Sequence, residues 1–288
     1  MTDIKLEETF VTTNAVRLHV VMAGPQNGPP VMLLHGFPEF WGGWAKQIPA
    51  LAEAGFRVIV PDQRGYNLSS ASKSIKPYNM TDLGWDVIGL LDYFGIGKVN
   101  LVGHDWGGVI AWGVALMFAE RVKRLSILNA PHPAVLLHFL KNSPRQILKS
   151  WYVGFFQIPG LADWWVKLNN FAIGAAAMRR SGKAHTFSDE DMAHYKQAWA
   201  NSDGWTGMIN WYRAPVRYPP PRLSDIRLYM PVLIQWGKRD VSLSNEMAEE
   251  SLKLCDHGRL IMYKNATHWV QHDEADAVSQ ALIQFFTS

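Results

Sequence analysis

The chain has 288 residues, 48% hydrophobic and 18% charged, which is enough for one large domain or for a core with an insertion. Its formal net charge is only +3, and no run of Lys or Arg exceeds two residues, which argues against nucleic acid or an anionic membrane surface as a partner. No apolar stretch nears the roughly 18 residues of a membrane span, and residues 1–8 lack the apolar segment of a signal peptide. We therefore expect a cytoplasmic protein.

Short apolar runs and helix-periodic segments alternate along most of the chain. In order, we predict an entry hairpin over 9–23 that turns at Asn14-Ala15, strands over 31–36, 57–61 and 98–103, helices near 41–53 and 80–94, and a sixth strand over 122–129. The alternation resumes with strands over 231–236 and 259–264 and helices near 244–254 and 272–286. This pattern predicts an α/β fold with a mostly parallel, twisted sheet flanked by helices.

A long helix-rich segment interrupts the alternation after the sixth strand. We predict a core built from residues 1–130 and 229–288, with residues 131–228 inserted as a helical cap. Ligands bind at the C-terminal edge of the strands in open α/β sheets, and we expect the cap to cover that edge. The cap carries six of the thirteen tryptophans, which favours an apolar roof over the pocket.

The stretch from Gly103 to Gly108, with the sequence Gly-His-Asp-Trp-Gly-Gly, is the most informative part of the chain. It lies between a predicted strand and a helix-compatible run, the context in which hydrolases place a nucleophile between close-packing glycines. The residue at the nucleophile position is Asp105. A carboxylate there can attack saturated carbon and form an alkyl ester. The alternative is that Asp105 is only the N-cap of the following helix.

A second motif, from His35 to Pro38, follows the predicted strand at 31–36. Hydrolases of this architecture place one oxyanion-binding N–H in such a loop and the other on the residue after the nucleophile. We therefore predict that the backbone N–H groups of Phe37 and Trp106 form the oxyanion hole. The alternative is an ordinary turn at the end of a strand.

Two further residues complete a triad in the chain order nucleophile, acid, histidine. Asp240 and His268 both follow strands, so both should lie at the same sheet edge as Asp105. The strand that ends at Asn129 carries no carboxylate at its tip, which leaves Asp240 as the acid. The other histidines form no cluster with the spacing of metal ligands, and we expect neither a metal nor a cofactor.

From about residue 10 to its C-terminus, the sequence resembles the epoxide hydrolases of the α/β-hydrolase fold, particularly the short bacterial kind. The motifs that carry the resemblance are His35-Gly36-Phe37-Pro38-Glu39, Asp62-Gln63-Arg64-Gly65-Tyr66, Gly103-His104-Asp105-Trp106-Gly107-Gly108, Asn129-Ala130-Pro131-His132-Pro133, Asn210-Trp211-Tyr212-Arg213 and Trp236-Gly237-Lys238-Arg239-Asp240. The motif around Asp105 is shared with dehalogenases, whereas the motif around Tyr212 is the specific one.

The resemblance implies two cap tyrosines that bind and protonate the epoxide oxygen. Tyr212 matches the second of them, and Tyr152, a few residues before Phe156-Gln157-Ile158-Pro159, matches the first. A phenol, with a pKa of about 10, can protonate an alkoxide while staying neutral at pH 7. Each tyrosine has the alternative of a core aromatic with its hydroxyl at the surface. The residues expected to line the substrate pocket are His35, Pro38, His104 and Phe155.

The function implied is the conversion of hydrophobic epoxides to vicinal diols through an ester on Asp105, in the manner of detoxifying hydrolases. The main alternative is a haloalkane dehalogenase, which uses the same triad and a tryptophan like Trp106 to hold the halide. A fluoroacetate dehalogenase would carry arginines where Trp106 and Val109 stand. A non-catalytic receptor often lacks a triad member, and an esterase needs Ser or Cys at the elbow. We expect a monomer or homodimer whose partner is a small epoxide.

Overall fold

The structure, a computed structural model, describes residues 4–201 and 204–288. Within these residues the strands are β1 (Glu7–Thr13), β2 (Val16–Ala23), β3 (Pro30–Leu34), β4 (Arg57–Pro61), β5 (Val99–His104), β6 (Val122–Leu128), β7 (Leu228–Gly237) and β8 (Cys255–Tyr263). They form one sheet in the order β1-β2-β4-β3-β5-β6-β7-β8. β1 and β2 pair with each other as an antiparallel hairpin, and β2 is antiparallel to β4. All pairs from β4 to β8 are parallel, as predicted.

The helices are α1 (Gln47–Glu53), α2 (Met80–Tyr93), α3 (Trp106–Met117), α4 (Pro133–Asn142), α5 (Pro144–Lys149), α6 (Trp151–Phe156), α7 (Leu161–Ser181), α8 (Asp189–Ala200), α9 (Gly204–Arg217), α10 (Glu246–Leu252), α11 (Val270–Asp273) and α12 (Ala275–Thr287). The segment predicted as one helix near 41–53 is a 3₁₀ turn over Trp41–Trp44 followed by α1. Pro49 explains the break, because proline is tolerated only in the first turn of a helix.

Local signals in the sequence account for two features of the fold, the turn of the entry hairpin and the start of α2. Asn14 and Ala15 have φ of 44° and 56°, the positive values that a tight hairpin turn requires. The side chain of Asn79 accepts hydrogen bonds from the N–H groups of Thr81 and Asp82, and so caps α2 as the pattern indicates. The last strand departs from the prediction, since β8 begins at Cys255 rather than at 259.

The parallel strands are buried on both faces, so alternate residues contribute to two hydrophobic layers. Met32 and Leu101 point into the layer beneath α2 and α3, whereas Val31 and Val102 point into the layer beneath α1 and α12. All four are 0% exposed. This double burial explains why β3 and β5 appear in the sequence as continuous apolar runs rather than as alternating ones.

Six helices, α4 to α9, lie between β6 and β7, which confirms that the helical insertion follows the sixth strand. The backbone of α7 leaves helical geometry over residues 168–171. The predicted domain limits at residues 130 and 229 stay a prediction. In the described part of the chain, no helix is both long and apolar enough to cross a membrane. The same residues contain no group of three or more His, Cys, Asp or Glu side chains arranged to hold a metal ion.

Candidate active site

Asp105 lies in the sharp turn between β5 and α3. Its φ and ψ are 49° and −120°, an uncommon conformation for a residue other than glycine. Gly107 is required beside it, because a Cβ there would collide with the backbone of Leu34 at the end of β3. The strained turn aims the carboxylate at the C-terminal edge of the sheet, where its side chain keeps 19% of its surface exposed.

The contacts of the Asp105 carboxylate decide between a helix cap and a reactive group. The side chain makes no capping hydrogen bond to α3. Instead, Oδ1 accepts a hydrogen bond of 2.9 Å from the backbone N–H of Phe37, and Oδ2 lies 3.4 Å from Nε2 of His268. Trp106 is the first residue of α3, so its N–H has no partner within the helix.

His268 follows β8 and lies between two carboxylates. Its Nδ1 donates to Oδ2 of Asp240 at 2.8 Å, while its Nε2 faces Asp105. The other oxygen of Asp240 accepts hydrogen bonds from the backbone N–H groups of Ser242 and Leu243. The structure therefore brings together the three residues that the sequence proposes as a triad, with the acid fully buried and the histidine 5% exposed.

The pKa values of His268 and Asp240 are shifted in opposite directions. Burial alone lowers the pKa of His268, but the charges and hydrogen bonds of Asp240 and Asp105 outweigh it and raise that pKa to about 10. Burial raises the pKa of Asp240, but the charge and hydrogen bond of His268 and the hydrogen bond from Asn129 outweigh it, so the net pKa is lowered. At neutral pH the resting site thus holds a protonated imidazole between two carboxylates.

The two predicted tyrosines lie together above this carboxylate. Tyr152 is on α6 and Tyr212 on α9, with ring centroids 5.8 Å apart. Burial, and after it the nearby Asp105 charge, raises the pKa of Tyr152; burial, Tyr152 and Asp105 raise that of Tyr212. Both phenols are therefore protonated at neutral pH and lie within the field of Asp105.

Aromatic rings surround the two tyrosines. The ring centroid of Tyr212 lies 5.0 Å from that of Trp106 and 5.1 Å from that of Phe37. Phe37 also packs edge-on against Phe156, at 5.7 Å. The space next to the carboxylate is therefore lined by apolar surface, with the two hydroxyls as its polar groups. Phe155, expected to line the pocket, makes its ring contacts with Trp151, Phe156 and Trp165.

Three other residues expected to line the pocket are buried. Both ring nitrogens of His35 are engaged, one with the Gly36 carbonyl and one with the N–H of Gln63. One ring nitrogen of His104 forms a hydrogen bond with the Glu39 carboxylate, and the other donates a hydrogen bond of 2.9 Å to the backbone carbonyl of His268. Pro38 is buried, and its carbonyl accepts a hydrogen bond from the Trp199 indole. These contacts support the walls of the site, and substrate contact by these residues stays a prediction.

The sequence reasoning missed two polar residues that brace the triad. Asn129 donates to the same Asp240 oxygen that His268 uses, at 2.7 Å, and accepts from the N–H of Gly237. Glu39 is 1% exposed and binds the side chains of Tyr195, His272, Gln271 and His104. The available signal was position alone, since Asn129 directly follows β6 and Glu39 directly follows Pro38.

Comparison with known proteins agrees with this geometry. Residues 29–275 match the model of the α/β-hydrolase fold family. The chain is 40% identical over 278 residues to the AB hydrolase superfamily protein YfhM of Bacillus subtilis, covering 96% of both chains. It is 34% identical over 319 residues to epoxide hydrolase A of Mycobacterium tuberculosis, with 97% of each chain covered.

A solved structure shows the same likeness in three dimensions. The crystal structure of epoxide hydrolase A from Mycobacterium thermoresistibile superimposes with a TM-score of 0.84 at 30% sequence identity. The match covers 99% of both chains, so it includes the helical insertion as well as the sheet. The fold expected from the sequence is therefore confirmed over the whole chain.

Proposed function

We propose that this chain, which belongs to the epoxide hydrolases of the α/β-hydrolase fold, converts small hydrophobic epoxides and water to vicinal diols. The observation that carries the proposal is the pair of hydroxyls on Tyr152 and Tyr212 near the Asp105 carboxylate. A carboxylate is suited to attack saturated carbon, and a phenol is suited to protonate the alkoxide that ring opening produces.

In the first half-reaction, Oδ2 of Asp105 attacks one epoxide carbon and forms an ester bond while the ring carbon–oxygen bond breaks. The electron pair of that bond goes to the ring oxygen, which takes a proton from Tyr152 or Tyr212. The proton that restores the phenol comes from His268, which begins the cycle protonated. The products of this half are a neutral ester, a neutral imidazole and two neutral phenols.

In the second half-reaction, neutral His268 takes a proton from water, and the water oxygen attacks the ester carbon of Asp105. Negative charge develops on Oδ1, which already accepts from the N–H of Phe37, and the N–H of Trp106 is proposed as the second donor. One such donor is worth about 10²–10³ in rate. The ester bond then breaks, and the leaving diol oxygen takes the second proton of the water molecule. Asp105 is then ionised and His268 protonated, as at the start.

The same triad would serve a haloalkane dehalogenase, so the tyrosines decide between the two. A halide leaves without a proton, whereas an alkoxide must be protonated for ring opening to go forward. Two hydroxyls beside the nucleophile therefore have a chemical role in epoxide opening and none in halide release. Trp106 and Val109, in place of arginines, also disfavour a substrate that carries a carboxylate.

The test is a panel of styrene-type epoxides and haloalkanes, with diol and halide release both measured. We expect diol from the epoxides, and its formation nearly abolished when Tyr152→Phe and Tyr212→Phe are combined. Tyr218→Phe, which alters an exposed cap tyrosine, is the matched control and should keep the parent rate. Halide release that survives the double change, without diol formation by the parent protein, would replace this proposal with the dehalogenase. The cytoplasmic location and the monomeric or homodimeric state stay predictions.

A further inference from the structure

Arg213, the last residue of the Asn-Trp-Tyr-Arg motif, has no part in the chemistry proposed above, yet it is only 4% exposed. Its Nε donates to the carbonyl of Phe156 at 2.8 Å, and one Nη donates to the carbonyl of Ile158 at 3.3 Å. The same Nη forms an ion pair of 2.7 Å with Asp163. One guanidinium on α9 thus holds the junction between α6 and α7.

A second tie runs parallel to the first. The side-chain amide of Gln157 donates to the backbone carbonyl of Tyr212 at 2.9 Å. The carbonyl oxygen of that amide accepts from the guanidinium of Arg217 at 2.9 Å, which fixes its orientation. Phe156, four residues after Tyr152, is therefore joined to Arg213, the residue after Tyr212. Gln157, five residues after Tyr152, is joined to Tyr212 itself. We call the contacts of Arg213 and Gln157 across these helices the α6–α9 clasp.

The clasp matters because α6 cannot hold its own position. It has six residues, and a helix of that length is not stable on its own in water. Its last carbonyls lack partners within the helix, and Arg213 supplies donors to Phe156 and, beyond the helix end, Ile158. The placement of Tyr152 on α6 consequently depends on α9, which carries Tyr212.

We propose that Arg213 is a positioning residue for ring opening, which it serves by keeping the hydroxyls of Tyr152 and Tyr212 directed at a single ligand oxygen. The inference rests on the proposed function, since it assigns a role to that reaction's two proton donors. The planar fork of arginine satisfies two carbonyls and a carboxylate at once, which lysine cannot do. If the contacts of the α6–α9 clasp are weakened, both phenols remain in the cap, but their hydroxyls no longer point at the same ligand oxygen.

The test is a double-mutant cycle on the rate of alkylation, which is measured by tryptophan fluorescence in single-turnover experiments. The proteins are the parent, Arg213→Lys, Tyr152→Phe and the combination. We expect Arg213→Lys to slow alkylation of the parent by about tenfold or more, because small misplacements of reacting groups have large effects on rate. In the Tyr152→Phe background the same change should slow it by less than about twofold, since one donor is already absent.

Two controls separate positioning from general stability. Arg179→Lys alters an exposed ion pair to Asp189 in the same cap and should leave both half-reactions at the parent rate. Hydrolysis of the alkyl-enzyme, which uses core residues, should be unchanged in Arg213→Lys. If Arg213→Lys does not fold, as judged by circular dichroism and Tm, Asp163→Asn takes its place in the cycle.

Additive effects of Arg213→Lys and Tyr152→Phe would overturn the inference, as would equal slowing of alkylation and hydrolysis. In either case the parent protein still forms diol, so the proposed function stands without the clasp. A parent protein that forms no diol from any epoxide overturns both.

Discussion

Asp105 adds to the larger effect of Asp240 in raising the pKa of His268, and this can be tested by removing the charge of Asp105 alone. Asp105→Asn keeps the shape of the side chain and makes it neutral, as an ester on Asp105 would be. We expect the pKa of His268 to fall in this variant. The cause is the loss of the hydrogen bond and charge that Asp105 contributes, while burial and Asp240 act as before.

The size of the decrease follows from the distance. Nε2 of His268 lies 3.4 Å from Oδ2 of Asp105. Unit charges at that separation interact by roughly 5 kcal/mol at an effective dielectric constant of about 20, equivalent to roughly 3.5 pH units. The Asp105 side chain is 19% exposed and shares its charge with the N–H of Phe37, so solvent screening reduces that figure. We therefore expect the pKa of His268 to decrease by about two in Asp105→Asn, from about 10 to about 8.

The assay is NMR titration of protein labelled with ¹³C in its histidine rings. The chain has ten histidines, and the signal that is missing from His268→Gln identifies the one of interest. Asp189→Asn is the matched control, because its side chain is 97% exposed on the cap and carries the same charge change. His268 should titrate in that control as it does in the parent protein.

Two results would contradict the reasoning. A resting pKa near 6.5 would mean that the ion pair with Asp105 does not form in solution. An unchanged pKa in Asp105→Asn would mean that Asp240 alone sets the protonation of His268, and alkylation then could not release the base.

Four further outcomes follow from the proposed mechanism and from the raised pKa of His268. Single turnover in ¹⁸O-labelled water should place the label on Asp105, and label in the first diol molecule instead would indicate direct attack by water. His268→Gln should accumulate the alkyl-enzyme in intact-mass spectra, because only hydrolysis needs the base, and Asp240→Asn should fold but lose about 10⁴ in rate through the wrong imidazole tautomer. Because folding raises the pKa of His268 from 6.5 to about 10, its stabilising contribution is full below 6.5 and is lost as the pH rises through 10. In urea unfolding, the free energy of unfolding of the parent should therefore lose its excess over that of His268→Gln across that pH range. A difference in free energy that stays constant with pH would refute this.

The sequence predicts both the sheet and the edge at which the three candidate triad residues meet, because both depend on local signals. Asp105, Asp240 and His268 each follow an apolar run, and parallel strands deliver their C-terminal ends to one edge. The hairpin at Asn14 and Ala15 is likewise determined by residues in the turn itself. What the motif at Asp105 could not decide was the direction of its side chain, since a helix cap and a nucleophile occupy the same position in the chain.

Contacts between distant segments account for what the sequence did not predict. Asn129 is 111 residues from Asp240, and no local pattern indicates that an amide braces the acid. Arg213 similarly meets Asp163 from 50 residues away. The burial of His35 and His104 also depends on packing, because their ring partners come from other elements. Motif positions therefore located the site, while the tertiary contacts determine which side chains face it.

The charge of Asp105 contributes to the raised pKa of His268 and also to the raised pKa values of the two phenols. Asp105 contributes, after burial, to the raised pKa of Tyr152 and of Tyr212. In the proposed mechanism Asp105 becomes a neutral ester, and its contribution then disappears at all three groups. The phenols become stronger acids as the alkoxide forms, and His268 becomes a base as the ester needs water. A single covalent event on Asp105 can therefore prepare both proton transfers, which would explain why a carboxylate nucleophile is placed within reach of all three.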